Sequence, residues 1–442
     1  MIAQVLLWGR TIGAVAMDEA RDVAAFQYDP AFAESGIEVS PLVMPLSDQV
    51  YEFPALPRNT FHGLPGLLAD SLPDKFGNAL IDAWLATQGR TAASFGAIER
   101  LCYTGTRGMG ALEFAPALGP NPRARTASKI EIDALVQLAS DVLTHRNDLK
   151  ASFSGTARAN ALNDILRVGT SAGGARAKAV IAWNRDTNEV RSGQIAADHN
   201  DSGFEYWLLK FDGVSGNKDK ELEDPKGYGA IEYAYYLMAK KAGITMSECR
   251  LLEENGRRHF MTRRFDRIDN GGRVEKLHMQ SLCALAHFDF NQAGAYSYEQ
   301  ALMTLRQLNL PMAAIEQQFR RMAFNIVARN QDDHVKNIAF LMDKQGQWSL
   351  APAFDVTYSY NPSGLWTATH QMTMNGKRDG FTLGDFEACA KAALMKRGRA
   401  AIIVDEVCAT VKDWPAFAAA ANVDKPSQEK IRNAHRLTFP AT

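Results

Sequence analysis

The chain has 442 residues, 46% of them hydrophobic, and its 49 Lys and Arg against 50 Asp and Glu leave a formal net charge of −1. That length exceeds what one core usually supports, so two or three packed units are expected, and the neutral balance excludes the bulk basic field of a general nucleic-acid binder. Five cysteines, Cys102, Cys249, Cys283, Cys389 and Cys408, have no paired spacing, which argues against a zinc site or disulfide framework and for a reducing, cytoplasmic setting.

In chain order, the opening Met1 to Met17 is broken by Arg10, has no basic start and is shorter than the ~20 residues of a spanning helix, so neither signal peptide nor membrane anchor is expected. Val5 to Trp8 before Gly9-Arg10, and Ala24 to Tyr28 before Asp29-Pro30, are β-type runs closed by turn residues, so Val5 to about Tyr51 reads as a small sheet. Pro57 to Gly66 reads as loop and Leu67 to Gln88 as helix interrupted at Pro73, which gives an α+β first unit. Gly119-Pro120-Asn121-Pro122-Arg123 denies both helix and ladder and marks a boundary. The spacing of Ile132, Leu135, Val136, Ala139, Val142 and Leu143 then predicts a connecting helix.

Val168 to Lys178 holds Gly169, Gly173 and Gly174 with Ser171, Arg176 and Lys178 around them, and a strand-like run, Ala179 to Trp183, follows. Backbone N–H groups of such a loop can cradle phosphates, although the same composition makes ordinary hairpin turns. The Walker spacing is missing, which excludes the standard P-loop enzymes. Tyr206 to Phe211 reads as a buried strand with Lys210 among apolar neighbours. Glu232, in a predicted helix over Ile231 to Met238, is a candidate partner for that lysine; the alternative is a lysine that buries only its stem. Arg258 to Arg267 reads as a strand running into Asp269-Asn270-Gly271-Gly272, and helical periods dominate from Lys276.

The densest polar run, Asn330 to Asn337, lies between two apolar segments. Upstream, Phe319, Met322, Ala323, Ile326 and Val327 recur on one helix face; downstream, Ile338 to Leu341 and Trp348 to Leu350 read as strands around Asp343-Lys344-Gln345-Gly346 and lead to Ala353-Phe354-Asp355. Phosphoryl transfer needs a group that orients the nucleophile, oxygen ligands for magnesium and cations on the phosphates. Asp332 suits the first role and Asn337 with Asp355 the second, while Lys210 held by Glu232 suits the third. The five-residue step from Asp332 to Asn337 is that of the protein-kinase catalytic loop. Plainer readings are solvated acids for Asp332 and Asp333, a structural or phosphate-contacting His334, and a turn at Asp355.

Taken together these residues resemble the HipA family, serine/threonine kinases that act as toxins of bacterial toxin–antitoxin modules. The resemblance rests on Gly63-Leu64-Pro65-Gly66-Leu67-Leu68-Ala69-Asp70-Ser71-Leu72-Pro73-Asp74, Ser171 to Lys178, Arg264-Phe265-Asp266-Arg267 and, most specifically, Asp332-Asp333-His334-Val335-Lys336-Asn337. It implies an ATP loop at Gly173, Gly174, Ala175, Arg176, Ala177 and Lys178, a phosphate contact at Lys210, and adenine met by main chain around Arg263, Arg264 and Phe265. Asp332 is then the catalytic base, with further nucleotide contacts at His334, Val335, Lys336, Asn337, Phe354, Asp355, Val356 and Thr357. Magnesium falls to Asn337 and Asp355. Ser171 stands where the family can autophosphorylate, which would silence the kinase; the plain reading is a residue that caps a turn.

Asp333 stands where a glycine is familiar and puts an extra negative charge beside the phosphates. Ala177 replaces a residue that is often proline or an acid. The partners implied are a small helix-turn-helix antitoxin similar to HipB and, through it, operator DNA, with Lys377 and Arg378 as DNA contacts against the plainer reading of a solvated loop. The substrate implied is a protein, an aminoacyl-tRNA synthetase or another translation component.

The fold class expected is α+β: a protein-kinase-like two-lobe fold, with a small β-rich ATP lobe and a larger helical lobe, plus an additional α+β N-terminal domain. Its boundaries are expected at 1–118, a linker and connecting helix at 119–149, the small lobe at 150–268 and the helical lobe at 269–442. Three other functions fit parts of the pattern: a small-molecule kinase on the same scaffold, a non-catalytic nucleotide-bound regulator of a DNA-binding protein, and a metal-dependent hydrolase built on Asp332, Asp333, His334 and Asp355.

Overall fold

The computed structural model describes residues 1–119, 131–144, 166, 176–193, 203–214, 226–269 and 274–441. These form two compact units: Met1–Lys226 with Arg250–Gln280 and Leu341–Gln347, and Gly227–Cys249 with Ser281–Phe340 and Trp348–Thr442. The helix Tyr228–Lys241, which the sequence places with the small lobe, therefore clusters with the helical unit.

The first unit contains two five-stranded sheets. Strands Ile2–Leu7, Arg10–Asp18 and Val23–Tyr28 pair as an antiparallel meander; Val50–Tyr51 extends one edge and Leu112–Ala115 the other. Alternation sets which side is wet: Ala3, Val5 and Leu7 are buried while Ile2 and Gln4 are exposed. The segment read as loop from Pro57 instead holds the one-turn helix Arg58–Phe61, while the helix read from Leu67 and interrupted at Pro73 is Gly66–Ala69 followed by Lys75–Thr87. Asp74 then caps the helix Lys75–Thr87 by accepting from Gly77 N at 2.6 Å.

The second sheet includes Lys178–Asn184, Phe204–Lys210 and Arg257–Arg263 as its three central strands. Ala179 to Trp183 are all buried, so this strand is covered on both faces and cannot show the alternation of an exposed sheet. Helices Lys75–Thr87 and Ile132–Thr144 supply Leu80, Leu85, Val136 and Val142 to one core with Ile181, Trp207 and Leu209. That shared core joins the N-terminal segment and this sheet in one unit.

In the second unit, helix Met312–Val327 buries Phe319, Met322, Ala323, Ile326 and Val327, the face predicted from their spacing, and packs against helix Arg399–Lys412. Tyr235 fixes a second helix to its end by donating to Ala328 O at 2.6 Å. Among the described residues no helix is long and apolar enough to cross a membrane.

Burial pushes four imidazoles, His259, His278, His287 and His435, down to about 4. The unfolded chain titrates them near 6.5, so between those values it binds more protons than the native protein. Stability is therefore expected to fall as pH drops from about 6.5 toward 4, by up to about 1.4 kcal/mol per pH unit for each histidine. Denaturant unfolding at pH 7 and pH 5.5 checks this: His278→Gln should make the dependence shallower, and a flat or rising stability on acidification contradicts it.

Candidate active site

Helix Met312–Val327 ends in a left-handed residue, Arg329 at φ 59°, which turns the chain into Asn330 to Asn337. Residues Val335–Asn337 form a single 3-10 turn, and the strand Ala339–Met342 follows it, close to the Ile338 to Leu341 read from the sequence. The predicted turn closes beyond that strand: Asp343 Oδ1 accepts from Gln345 N and Gln347 N, both at 2.9 Å, and Gly346 takes φ 79°.

Asn337 Nδ2 donates to the main-chain carbonyl of Asp332 at 2.8 Å. A carbonyl only accepts, so the amide nitrogen must face it and the amide oxygen is turned the other way. Asp355 arrives after Ala353-Phe354 at φ 51°, a left-handed position that a non-glycine residue seldom adopts. Asn330 holds both segments, since its Nδ2 donates to Asn325 Oδ1 at 3.0 Å and to Asp355 O at 3.4 Å. Asn330, Asn337, Phe354, Asp355 and Val356 line one small cavity of about 30 Å³. Val335, Val356 and Thr357 are themselves buried.

The Asp332 side chain keeps 29% of its surface exposed. Its Oδ1 accepts from the indole Nε1 of Trp366 at 2.7 Å and lies 3.7 Å from His334 Nε2. The His334 ring lies near Phe290 and Trp366, with centroids 5.5 and 6.5 Å away, and Lys336 Nζ lies over the Phe290 ring at 5.1 Å.

Asp333 is not the free charge that the sequence suggests. Its side chain is 1% exposed and both oxygens are taken: Oδ2 by Tyr298 Oη at 2.6 Å and His370 Nδ1 at 2.7 Å, Oδ1 by Gln371 N at 2.7 Å. Burial alone would raise its pKa, but His370, the Tyr298 hydroxyl and the Gln371 N–H hold it below the usual carboxylate range. The same burial and the Asp333 charge push the Tyr298 phenol well above its ordinary value. On the far side of the imidazole, Arg436 Nη1 faces His370 Nε2 at 3.5 Å; an arginine only donates, so the ring proton belongs on Nδ1, toward Asp333. The carboxylate is an internal anchor, and the hydrolase that would use it as a metal ligand loses that ligand.

In the first unit, Lys178 and Lys210 are direct cross-strand partners, so their side chains leave the same face of the sheet. Both are buried; Lys178 Nζ lies 3.3 Å from Asp74 Oδ2, and Lys210 Nζ lies 5.7 Å from the Phe260 ring centroid. Arg176 and Ala177 lead into that strand, while Ser171, Gly173, Gly174 and Ala175 lie outside the described residues. Glu232 is buried in the second unit, so it and Lys210 belong to different units. Arg263 Nη1 lies 3.9 Å from Glu205 Oε1 and is partly exposed.

Arg264, placed among the nucleotide contacts, commits its side chain to Asp266, through Nε at 2.9 Å and Nη2 at 2.7 Å. Phe265 follows it directly in the chain. Arg267 Nη1 and Gly110 N also reach Asp266, and burial, which would raise that carboxyl, is outweighed by Arg264 and Arg267. Gly110 sits at φ 76°, and a Cβ there would stand 3.0 Å from Met279 N, so the close approach requires glycine.

Two family models match the chain: the HipA N-terminal domain over residues 3–115 and the HipA-like C-terminal domain over residues 170–414. The chain belongs to the HipA family. Among solved structures it is similar to HipA of Shewanella oneidensis MR-1 in a complex of a toxin–antitoxin system with HipB and operator DNA. The TM-score is 0.69 at 16% identity, over 98% of this chain and 94% of that one. A match to the Helicobacter pylori proinflammatory kinase CtkA, with a TM-score of 0.32 at 12% identity over 52% of this chain and 90% of that one, is too distant to carry an argument. No curated protein sequence matches.

Asn337 and Asp355 are the candidate cation donors on this cavity. Asn337 offers an amide oxygen whose direction is set by its own nitrogen, Asp355 offers a carboxylate, and both are hard oxygen ligands on one cavity wall. Sequence reasoning did not find Trp366, His370, Tyr298 or Arg321. Arg321 lines the same cavity, donates to Ala351 O at 2.8 Å and is pushed down to about 9 by burial. Lys377 and Arg378, offered as DNA contacts, are engaged inside their own unit: Lys377 Nζ with Asp385 Oδ2 at 2.7 Å and Arg378 Nε with His370 O at 2.6 Å. A larger open groove over Glu253 to Arg258 holds none of the site residues and follows a hairpin turn at Asn255 and Gly256.

Proposed function

We propose that this HipA protein is an ATP- and magnesium-dependent serine/threonine protein kinase that acts as the growth-inhibiting toxin of a type II toxin–antitoxin pair. The observation that carries the reading is the Asn337 to Asp332 hydrogen bond. It orders a candidate base and a candidate metal ligand with one contact and sets the second on the same cavity wall as Asp355.

In this reading Asp332 orients the acceptor hydroxyl and takes its proton, while Asn337 and Asp355 hold the metal, which would neutralise charge on the phosphates. The loop from Gly173 to Lys178, with Lys210, grips the nucleotide; Lys178 and Lys210 leaving one sheet face supports that role. Main chain around Arg263 and Phe265 meets the adenine. Phosphate on Ser171 would add charge to the nucleotide loop and silence the enzyme. A HipB-like antitoxin and operator DNA are the partners, as named for the Shewanella complex, and a translation protein is the substrate.

Labelled ATP with magnesium, purified protein and a cytosolic extract tests this. Label in Ser171 or in a distinct protein is expected, and induced expression should arrest growth unless the antitoxin is supplied. Label only in a small molecule would make the protein a metabolite kinase. No label at all would overturn the reading.

A further inference from the structure

Asp332 has one oxygen held and one available. Oδ1 accepts from Trp366 Nε1 at 2.7 Å, whereas among the described residues no group hydrogen-bonds Oδ2, and the side chain is 29% exposed. A carboxylate on a rotatable bond samples orientations freely; a charge-assisted bond to one oxygen fixes the plane and aims the other. We propose that Trp366 is a positioning residue that uses its indole N–H to hold Asp332 Oδ1, so that Oδ2 meets the acceptor hydroxyl. The proposal rests on the kinase reading given above.

The main chain that carries the indole is held in its turn. Gln371 Nε2 donates to Trp366 O and, at 3.1 Å, to Thr369 O, and Gln371 N donates to Asp333 Oδ1 at 2.7 Å. The segment Trp366 to Gln371 is thus tied to Asp333 at one end and to Asp332 at the other. Two adjacent acids divide the work: Asp333 anchors the segment and Asp332 receives its indole. Leu365, directly before the tryptophan, is fully exposed, so no core contact of that neighbour places the ring.

In the step itself, the acceptor oxygen bonds to the γ-phosphorus as the bond from that phosphorus to the bridging oxygen breaks. The nucleoside diphosphate leaves with that oxygen's electron pair, and the hydroxyl proton passes to Asp332 Oδ2. Trp366 takes no part in bond making, so its removal should change kcat rather than nucleotide affinity.

Trp366→Phe keeps the ring and deletes the N–H. With magnesium and ATP, kcat is expected to fall about ten- to a hundredfold, the range for a hydrogen bond to a charged group, with KM for ATP within about twofold. In protein labelled with ¹⁵N-tryptophan, the indole resonance lost in Trp366→Phe should shift in Asp332→Ala while the other tryptophan signals stay. That spectrum needs no catalysis and is read on the full chain; if Trp366→Phe folds poorly, Trp366→Tyr assigns the same resonance. An active wild type with kcat unchanged in Trp366→Phe, or an indole signal indifferent to Asp332→Ala, overturns the proposal and leaves the kinase reading standing. A rise in kcat would mark the indole as a competitor of the acceptor and also overturn it. A wild type that transfers no phosphate removes the reading and the proposal together, whatever the spectrum shows.

Discussion

Asp332→Asn is expected to lower phosphoryl transfer by about 10²–10⁴-fold, the usual contribution of a positioned general base. The amide still accepts from the Trp366 indole through its oxygen, so the loop keeps its shape; what disappears is the anion that takes the acceptor's proton. The side chain is partly exposed and its main chain carries the Asn337 contact, so unfolding midpoints should match the wild type within experimental scatter. ATP affinity should also hold, because the phosphate contacts proposed above fall to other residues. Steady-state kinetics, calorimetric titration with ATP and a thermal melt together separate loss of chemistry from loss of fold.

Asp333→Ala should do the reverse and act first on stability, by about 3–5 kcal/mol, the cost of breaking a fully buried charged hydrogen-bond network. Three donors, Tyr298 Oη, His370 Nδ1 and Gln371 N, would be left without their acceptor in a site from which water is excluded. Asp333→Asn should cost less, since one amide oxygen can still accept. Activity should fall in both through displacement of the Trp366 to Gln371 segment. Urea unfolding measures the first effect; a variant as stable as the wild type would show that the network is not an anchor.

The contrast between these neighbours marks how far the sequence could be read. The helix face of Phe319, Met322, Ala323, Ile326 and Val327, the turn after Met342 and the strand from Lys178 were legible, because hydrophobic period and turn chemistry are local. The neighbourhood of Asn337 and Asp355 on one cavity, with Asn337 bonded to the Asp332 main chain, follows the order and spacing read from the sequence. The role of Asp333 was not legible, since nothing in an acid's neighbours reveals that a tyrosine 35 residues upstream and a histidine 37 residues downstream will close over it. Trp366 was hidden for the same reason, 34 residues beyond the acid it touches. Turn-rich Pro57 to Gly66 concealed the one-turn helix Arg58–Phe61, which is too short to show a period.

The role proposed for Asp332, aligned by Asn337, is that of base in a phosphoryl transfer. The most direct measurement is the initial rate of γ-phosphate transfer from magnesium-ATP to protein hydroxyls, compared between the wild type and Asp332→Asn at matched ATP occupancy. A measurable wild-type rate that falls at least about a hundredfold in the variant is the predicted result. Equal rates in the two proteins, or no transfer by the wild type, would contradict it.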